Sequence, residues 1–218
     1  MKTAIIFGSS GLIGNELFKT IILNNSYEKI KVFVRSIPEI NSPKVEIIKT
    51  DFTNLKQYKD KIKGDECFFC IGTTKKKAPN KDEYRRVEYE IPVEIAQIAK
   101  SNSVNSFVYV SSISANPKSS STYLKNKGEV EEELKKLNFP ILGILRPSFL
   151  MGKRKEKRIA ERIGILFFRM ISPLFLGPLK KMKPIHSEKV AEVMINISQK
   201  IYNKTIFESN EIAELTLN

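Results

Sequence analysis

The sequence is poor in the residues on which disulfide-linked and metal-binding proteins depend. It contains two cysteines, one histidine and no tryptophan among 218 residues. Two cysteines do not make a disulfide framework, which favours a reducing compartment and, by default, a cytoplasmic location. They form Cys67-x-x-Cys70 inside an apolar run, and residues three apart on a strand point to opposite faces of a sheet. We therefore interpret both as core residues and expect no metal site.

Long apolar runs are also scarce. The apolar segment that begins at Ile163 contains Arg169 and is followed by Pro173 and Gly177, so it is too short and too interrupted for a transmembrane helix. We interpret it as a helix packed over the edge of a functional site, with a subunit contact or a membrane-docked surface as alternatives. The first apolar run is very short and leads directly into a glycine turn, so we expect no secretory signal peptide.

Acidic residues are outnumbered by basic ones. The chain has 37 lysines and arginines against 24 aspartates and glutamates, for a net charge of +13. The lysines are scattered, and no helix-turn-helix, zinc-ligand spacing or aromatic-basic RNA signature accompanies them. We interpret them as solvated helix faces and expect no nucleic-acid function. The basic cluster at 153–158 is interpreted in the same way, with contact to a substrate or membrane phosphate as the alternative.

Runs rich in Val, Ile and Phe alternate with amphipathic helical patterns along most of the chain. This alternation predicts an α/β fold with a parallel sheet that helices cover on both faces. We expect one domain over residues 1–218, with a core at 1–150 and a smaller substrate-side extension at 151–218. Strands are predicted at 3–7, 30–34, 45–48, 66–71, 107–111, 140–145 and 204–208, and helices at 12–24, 54–62, 83–101, 123–137 and 187–200.

A glycine-spaced turn follows the first predicted strand and leads into the first predicted helix. It reads Gly8-Ser-Ser-Gly11-Leu-Ile-Gly14. Glycines at these positions let the backbone turn tightly and approach a pyrophosphate, which the helix N-terminus then attracts. The placement between strand and helix predicts a dinucleotide-binding unit rather than a plain structural turn.

The end of the second predicted strand indicates which dinucleotide is bound. Arg35 lies 21 residues after Gly14, near the place where an acidic residue would bind the ribose 2′-hydroxyl of NAD. An arginine at this place can instead pair with the 2′-phosphate of NADP. We therefore expect a preference for NADP(H), with NAD(H) binding and a merely solvent-facing arginine as alternatives.

A serine pair and a tyrosine–lysine pair could carry the chemistry. The fifth strand ends in Ser111-Ser112, and Tyr123-x-x-x-Lys127 opens the next predicted helix. A tyrosine hydroxyl can exchange a proton with a carbonyl or alcohol, but its ordinary pKa of roughly 10 is too high for a base at neutral pH. A lysine one turn along favours the phenolate and can hold the nicotinamide ribose, while a serine can polarise the oxygen. Ser112 is our choice for that role, with Ser111 as the alternative.

Together these features resemble the short-chain dehydrogenase/reductase superfamily and, more narrowly, its atypical branch of HIV Tat-interactive protein-like oxidoreductases. The resemblance covers nearly the whole chain. The shared phrases read Cys70-Ile-Gly-Thr-Thr-Lys-Lys-Lys77, Lys118-Ser-Ser120, Lys127-Gly-Glu-Val-Glu131 and Arg146-Pro-Ser-Phe-Leu-Met-Gly152.

The resemblance implies a Rossmann-type doubly wound sheet that binds NADP(H), with a nicotinamide pocket near 147–150. The predicted helix at 83–101 has no asparagine and is interrupted by Pro92, so a four-residue Asn-Ser-Tyr-Lys relay is not expected. The predicted catalytic residues are Ser112, Tyr123 and Lys127. The predicted cofactor-binding residues are Gly8, Ser9, Ser10, Gly11, Leu12, Ile13, Gly14, Arg35, Ser36, Asp51, Phe52, Gly72, Thr73, Thr74, Ser111, Tyr123, Lys127, Pro147, Phe149 and Leu150.

Three functions follow from this resemblance. The first is an NADP(H)-dependent oxidoreductase that acts on a small carbonyl or alcohol. Its pocket would be built from the 73–82 loop and the 148–180 segment, and the apolar character of the latter favours a hydrophobic carbonyl or quinone-like compound. The second is an NADPH-binding regulatory or interaction protein without efficient turnover. The third, an NAD-bound enzyme that epimerises or dehydrates a nucleotide-sugar, is disfavoured by Arg35. Both a monomer and a homodimer are compatible with the sequence.

Overall fold

The computed structural model of the protein describes residues 1–37, 42–152 and 182–215. The basic cluster at 153–158 and the apolar segment that contains Arg169 lie outside the described residues. Within the described ranges, no helix has the length and apolar character needed to cross a membrane.

The strands of the main sheet are all parallel, as the sequence predicts. The strands in the described part of the chain are β1 Lys2–Phe7, β2 Tyr27–Val34, β3 Val45–Lys49, β4 Glu66–Phe69, β5 Ser106–Val110, β6 Ile141–Arg146, β7 Leu150–Met151, β8 Ile185–His186 and β9 Ile206–Glu208. Seven of them form the main sheet in the order β3-β2-β1-β4-β5-β6-β9, and the two short strands β7 and β8 form a separate pair. The order reverses between β1 and β4, and parallel sheets bind ligands beyond the carboxyl ends of their strands at such a reversal.

Helices cover both faces of this sheet, which confirms the doubly wound α/β fold. Alternate residues of β1 show why both faces are apolar: Ile5 and Phe7 enter one buried cluster, whereas Ala4 and Ile6 enter the other. The helices are α1 Leu12–Leu23, a 3₁₀ turn Leu55–Tyr58, α2 Lys81–Arg85, a π-helical turn Arg86–Glu90, α3 Ile91–Ser101, α4 Thr122–Lys136, α5 Ser187–Gln199 and α6 Ser209–Glu214.

The two cysteines lie where strand alternation predicts. Cys67 is fully buried in the cluster under α3 and α4, and Cys70 packs against the opposite cluster. Burial raises the pKa of the Cys70 thiol to about 12, so the thiol stays protonated near neutral pH.

The helix predicted at 54–62 is wrong, because only Leu55–Tyr58 forms a 3₁₀ turn. Successive tight turns follow it, and they bury Leu55 and Ile62 without a regular helix. The periodicity of these apolar residues also fits a helix, but so short a segment has little helical stability of its own.

Pro92 does not interrupt the helical run, contrary to the sequence-based prediction. The run continues from α2 through the π-helical turn Arg86–Glu90 into α3, and Pro92 lies in the first turn of α3. Proline has no backbone N–H to donate, and a widened turn before it changes the hydrogen-bond pattern without ending the helix.

A buried polar network closes the amino edge of the sheet. The carboxylate of Glu66 accepts hydrogen bonds from Tyr27 Oη at 2.5 Å, Ser198 Oγ at 2.7 Å and Lys2 Nζ at 2.6 Å. Burial and the adjacent Glu66 carboxylate raise the pKa of Tyr27, so its hydroxyl remains a proton donor. The network joins β1, β2, β4 and α5 at the edge opposite the functional residues described below.

We expect Glu66→Gln to lower the free energy of unfolding by about 1–3 kcal/mol, because a neutral amide cannot satisfy all three donors. The measurement is urea unfolding followed by circular dichroism. Glu28→Gln, at an exposed position of β2, is the matched control. Equal unfolding midpoints for the two variants would show that the network contributes no stability.

Candidate active site

The sequence-predicted residues follow the ends of six neighbouring parallel strands, so the fold brings them to one edge of the sheet. The glycine turn follows β1, Arg35 follows β2, Asp51 follows β3, and Gly72 follows β4. Ser111 and Ser112 follow β5, and the segment 147–150 follows β6. Paired residues of adjacent strands form a row of rings close to this edge: Phe33, Phe7, Phe69 and Tyr109.

The turn after β1 can be formed only with glycine at two of its positions. Gly8 has a φ of +88°, and a Cβ atom on Gly14 would lie 2.1 Å from the Gly8 carbonyl oxygen. Helix α1 therefore begins in direct backbone contact with the end of β1. Ser9 and Ile13 are buried, Ser10 and Gly11 are exposed, and Leu12 is half-buried.

The N-terminus of α1 is open to an anion. Gly11 is the N-cap residue, and among the described residues no side chain caps this end of the helix. The backbone N–H groups of the first turn have no partner within the helix and carry its partial positive charge. This cradle, together with glycines that allow close approach, fits the pyrophosphate of a dinucleotide.

The ends of β2 and β3 lie next to each other. Arg35 and Ser36 are exposed beyond β2. The Asp51 carboxylate accepts hydrogen bonds from the backbone N–H and the hydroxyl of Thr53. The hydrogen bond from the backbone N–H lowers the pKa of Asp51. Phe52 is buried with a φ of +64°, and its carbonyl oxygen accepts a hydrogen bond from Arg86 Nη2 at 3.1 Å. The loop after β3 is therefore tied to the π-helical turn.

The two serines after β5 have different environments. Ser111 is buried, and its hydroxyl donates to Glu131 Oε1 at 2.5 Å. Glu131 also accepts two hydrogen bonds from Arg146, from Nε at 2.9 Å and Nη2 at 2.5 Å. Ser112 is half-buried. The Ser111 hydroxyl is thus part of a buried ion-pair cluster that joins β5, α4 and β6.

Helix α4 carries Tyr123 and Lys127 one turn apart. Tyr123 is half-buried, whereas Lys127 is buried, with Nζ 6.0 Å from the centroid of the Tyr123 ring. Lys127 Nζ also donates to the carbonyl oxygen of Val110 at 3.3 Å. A Cβ atom on Gly128 would lie 2.3 Å from the nitrogen of Pro117, so the loop between β5 and α4 packs on the helix backbone. This contact fixes the position of the loop against the helix that carries Tyr123.

Glu88 is a residue of this site that the sequence-based prediction missed. It lies in the π-helical turn, is 1% exposed, and accepts a hydrogen bond from the Thr73 amide at 2.5 Å through Oε1. Its Oε2 atom lies 3.2 Å from Lys127 Nζ, within ion-pair distance although without well-aligned hydrogen-bond geometry. A signal was present in the sequence, because Glu88 is a carboxylate at a position in register with apolar Tyr84, Ile91 and Ile95.

The surroundings of Lys127 act in opposite directions on its charge. Burial alone lowers the pKa of Lys127, but the Tyr109 hydroxyl and the Glu88 carboxylate outweigh burial, so the net direction is upward. The side chain is therefore a buried ammonium with a carboxylate beside it.

The remaining predicted residues lie after β4 and after β6, at the same edge of the sheet. Gly72 is exposed, and Thr74 Oγ1 is buried without a hydrogen-bond partner among the described residues. Pro147 is buried, Phe149 is half-exposed, and Leu150 lies in β7 beside Ile185.

A solved structure has the same fold. The Bordetella bronchiseptica enzyme WbmH, in complex with NAD+, superposes with a TM-score of 0.72 at 15% identity, over 95% of this chain and 75% of that one. At this level of identity the likeness shows the fold alone.

The sequence comparisons show the family. A family described as NAD(P)H-binding matches residues 8–200. Protein FMP52-1, mitochondrial, from Scheffersomyces stipitis is 33% identical over 98% of this chain and 98% of its own length. Protein HTATIP2 from Rattus norvegicus is 34% identical over 77% of this chain and 70% of its own length.

The expected cytoplasmic location is wrong on this comparison, because FMP52 relatives from four yeasts are named mitochondrial proteins. A low cysteine count indicates a reducing environment but does not distinguish one reducing compartment from another.

The matched family, the relatives and the fold agree with the glycine turn and the strand-end residues. The chain belongs to the NAD(P)H-binding family and, within it, to the HTATIP2-like atypical short-chain dehydrogenases/reductases, which places it among nicotinamide-nucleotide-binding proteins of oxidoreductase type.

Proposed function

We propose that the protein is an NADP(H)-dependent oxidoreductase that interconverts a small carbonyl compound and its alcohol. The observation that carries the proposal is the buried Lys127 ammonium, 6.0 Å from the ring centroid of the half-buried Tyr123. Both lie on the first turns of α4, at the sheet edge that also holds the glycine turn. When bound, the nicotinamide supplies or accepts the hydride.

Tyr123 is the proton donor in this proposal. Lys127 also lies near two other tyrosines, but Tyr84 and Tyr109 are buried. Burial raises the pKa of Tyr84 to about 12 and that of Tyr109 further, so both hydroxyls hold their protons. Tyr123 is accessible, and the nearby ammonium stabilises the phenolate that forms when Tyr123 gives its proton to the carbonyl oxygen.

Ser112 is proposed to polarise the same oxygen. The Ser111 hydroxyl already donates to buried Glu131, whereas Ser112 is half-buried at the same strand end. A serine donor aimed at a developing alkoxide stabilises the charge that builds up on it. The cofactor-binding residues are proposed to be those predicted from the sequence, from the glycine turn to Leu150.

We also propose that the chain is one domain and that it is mitochondrial. The one-domain proposal is supported by β9 and α5, which follow residue 150 and complete the same sheet and the same buried cluster. The mitochondrial location is supported by the names of the FMP52 relatives. Fractionation of cells that express the tagged chain tests the location.

The substrate is proposed to be a hydrophobic carbonyl, and both a monomer and a homodimer remain compatible with the site.

The proposed function makes two predictions, of which the first concerns the cofactor. We expect NADPH to bind more tightly than NADH in a fluorescence titration, and Arg35→Ala to weaken NADPH binding by about 10–100-fold, because the 2′-phosphate loses a charged partner. NADH affinity should not change. Lys19→Ala, at an exposed position on α1, controls for the loss of one positive charge. Equal affinities of the wild type for the two cofactors would refute the role of Arg35.

The second prediction concerns turnover. In a screen of aldehydes, ketones and quinones, we expect Tyr123→Phe to lower NADPH oxidation at least about 100-fold with little change in NADPH affinity, because the proton donor is lost. Tyr84→Phe is the matched control, since it removes another hydroxyl near Lys127 and should retain most of the activity.

Two outcomes would contradict the catalytic proposal. Full activity of Tyr123→Phe would exclude this hydroxyl as the donor. Tight NADPH binding by the wild type without reduction of any compound in the panel would favour a regulatory NADPH-binding protein.

A further inference from the structure

A carboxylate occupies a buried position where the helical pattern calls for an apolar side chain. Glu88 follows Tyr84 by four residues and precedes Ile91 by three, and all three are buried. An ionised carboxylate away from water is costly unless opposite charge and hydrogen-bond donors surround it. The structure provides both, and both belong to the candidate active site.

The two oxygens of Glu88 reach different parts of the site. Oε1 accepts the Thr73 amide in the loop after β4, and Oε2 lies 3.2 Å from Lys127 Nζ on α4. Lys127 in turn donates to Val110 at the end of β5. One carboxylate therefore links the β4 loop, α4 and, through the lysine, β5.

The π-helical turn that carries Glu88 is held from outside by two arginines. Arg85 Nη1 donates to Glu129 Oε2 on α4 at 2.8 Å, and Arg86 Nη1 donates to Glu94 Oε2 on α3 at 2.9 Å. Arg86 also holds the Phe52 carbonyl of the loop after β3. Anchored on these sides, the turn directs Glu88 inward, and π-helical turns occur frequently at functional sites.

We propose that Glu88 is a positioning residue of the active site, whose carboxylate holds the Lys127 ammonium and the Thr73 amide in one fixed buried cluster. The proposal rests on the role given above to Lys127. In this proposal Glu88 acts through the lysine rather than on the reacting atoms. A lone ammonium in the same place would have no opposite charge to offset its loss of hydration.

The test is a double-mutant cycle of Glu88→Gln, Lys127→Met and the double variant, measured by urea unfolding and by NADPH titration. Glutamine can still accept the Thr73 amide but cannot balance the ammonium. We expect Glu88→Gln to weaken NADPH binding about tenfold or more, and the double variant to bind no more weakly than Lys127→Met alone. The double variant should also unfold at a higher urea concentration than Glu88→Gln, because it no longer buries an unpaired charge.

Two further variants separate positioning from general damage to the helix. Glu88→Asp keeps the charge on a shorter side chain and should recover part of the lost NADPH affinity. Glu83→Gln removes an exposed carboxylate on the same helical run, and it should bind NADPH as the wild type does.

Independent effects of the two substitutions on NADPH affinity would overturn the proposal. If the losses of affinity caused by Glu88→Gln and Lys127→Met multiply in the double variant, Glu88 does not act through the lysine. If Glu88→Gln does not fold, recovery of folding in the double variant supports an interaction between Glu88 and Lys127. If neither variant folds, that interaction is refuted.

The cycle also distinguishes this proposal from the proposed function. If the wild-type protein binds NADPH without oxidising it, the proposed oxidoreductase activity is contradicted. Every measurement of the double-mutant cycle can still be made in that case. Should the wild type not bind NADPH, the coupling in unfolding alone decides whether the pair exists.

Discussion

The ion pair between Glu131 and Arg146 fixes helix α4 against strand β6, and the geometry of the candidate site depends on that contact. Two hydrogen bonds join the side chains, and the Ser111 hydroxyl joins the same carboxylate. Glu131 lies one turn after Lys127, so the same face of α4 presents a buried anion to β6 and a buried cation to Glu88. Such pairs add little net stability but are costly to break, because breaking one leaves a buried charge without a partner. The helix is therefore held in one register, which sets the place of Tyr123.

The polar interior of the site follows from the parallel sheet. Six strand ends meet at one edge, and the loops that leave them bring backbone N–H and carbonyl groups that need partners away from water. Glu88 accepts one of these N–H groups, from Thr73, and Lys127 donates to one of these carbonyls, that of Val110, whereas Glu131 accepts from the Ser111 and Arg146 side chains. Their burial departs from the usual rule that charged side chains stay at the surface, and such departures are expected where a protein binds and transforms a ligand.

Much of this site could be predicted from the sequence, because its chemistry is local to short phrases. The glycine turn needs contiguous residues, and Tyr123 and Lys127 are neighbours on one helix. The network around Glu88 could not be predicted in the same way. Its partners are Thr73, 15 residues earlier, and Lys127 on another helix, and periodicity does not reveal which elements pack together. The prediction that Pro92 interrupts the helix is wrong for a related reason, since a π-helical turn depends on contacts that the local sequence does not show.

The amino-acid sequence by itself determined the parallel α/β sheet, the glycine turn that accepts a dinucleotide, and the family, since each follows from the spacing of residues near one another in the chain. The tertiary structure decided which serine is engaged by Glu131 and which of three tyrosines near Lys127 is accessible. It also showed that a carboxylate from the π-helical turn accompanies the lysine. These features depend on burial and on contacts between distant segments, and burial changes the energies of charged and hydroxyl groups in ways that residue type alone does not reveal.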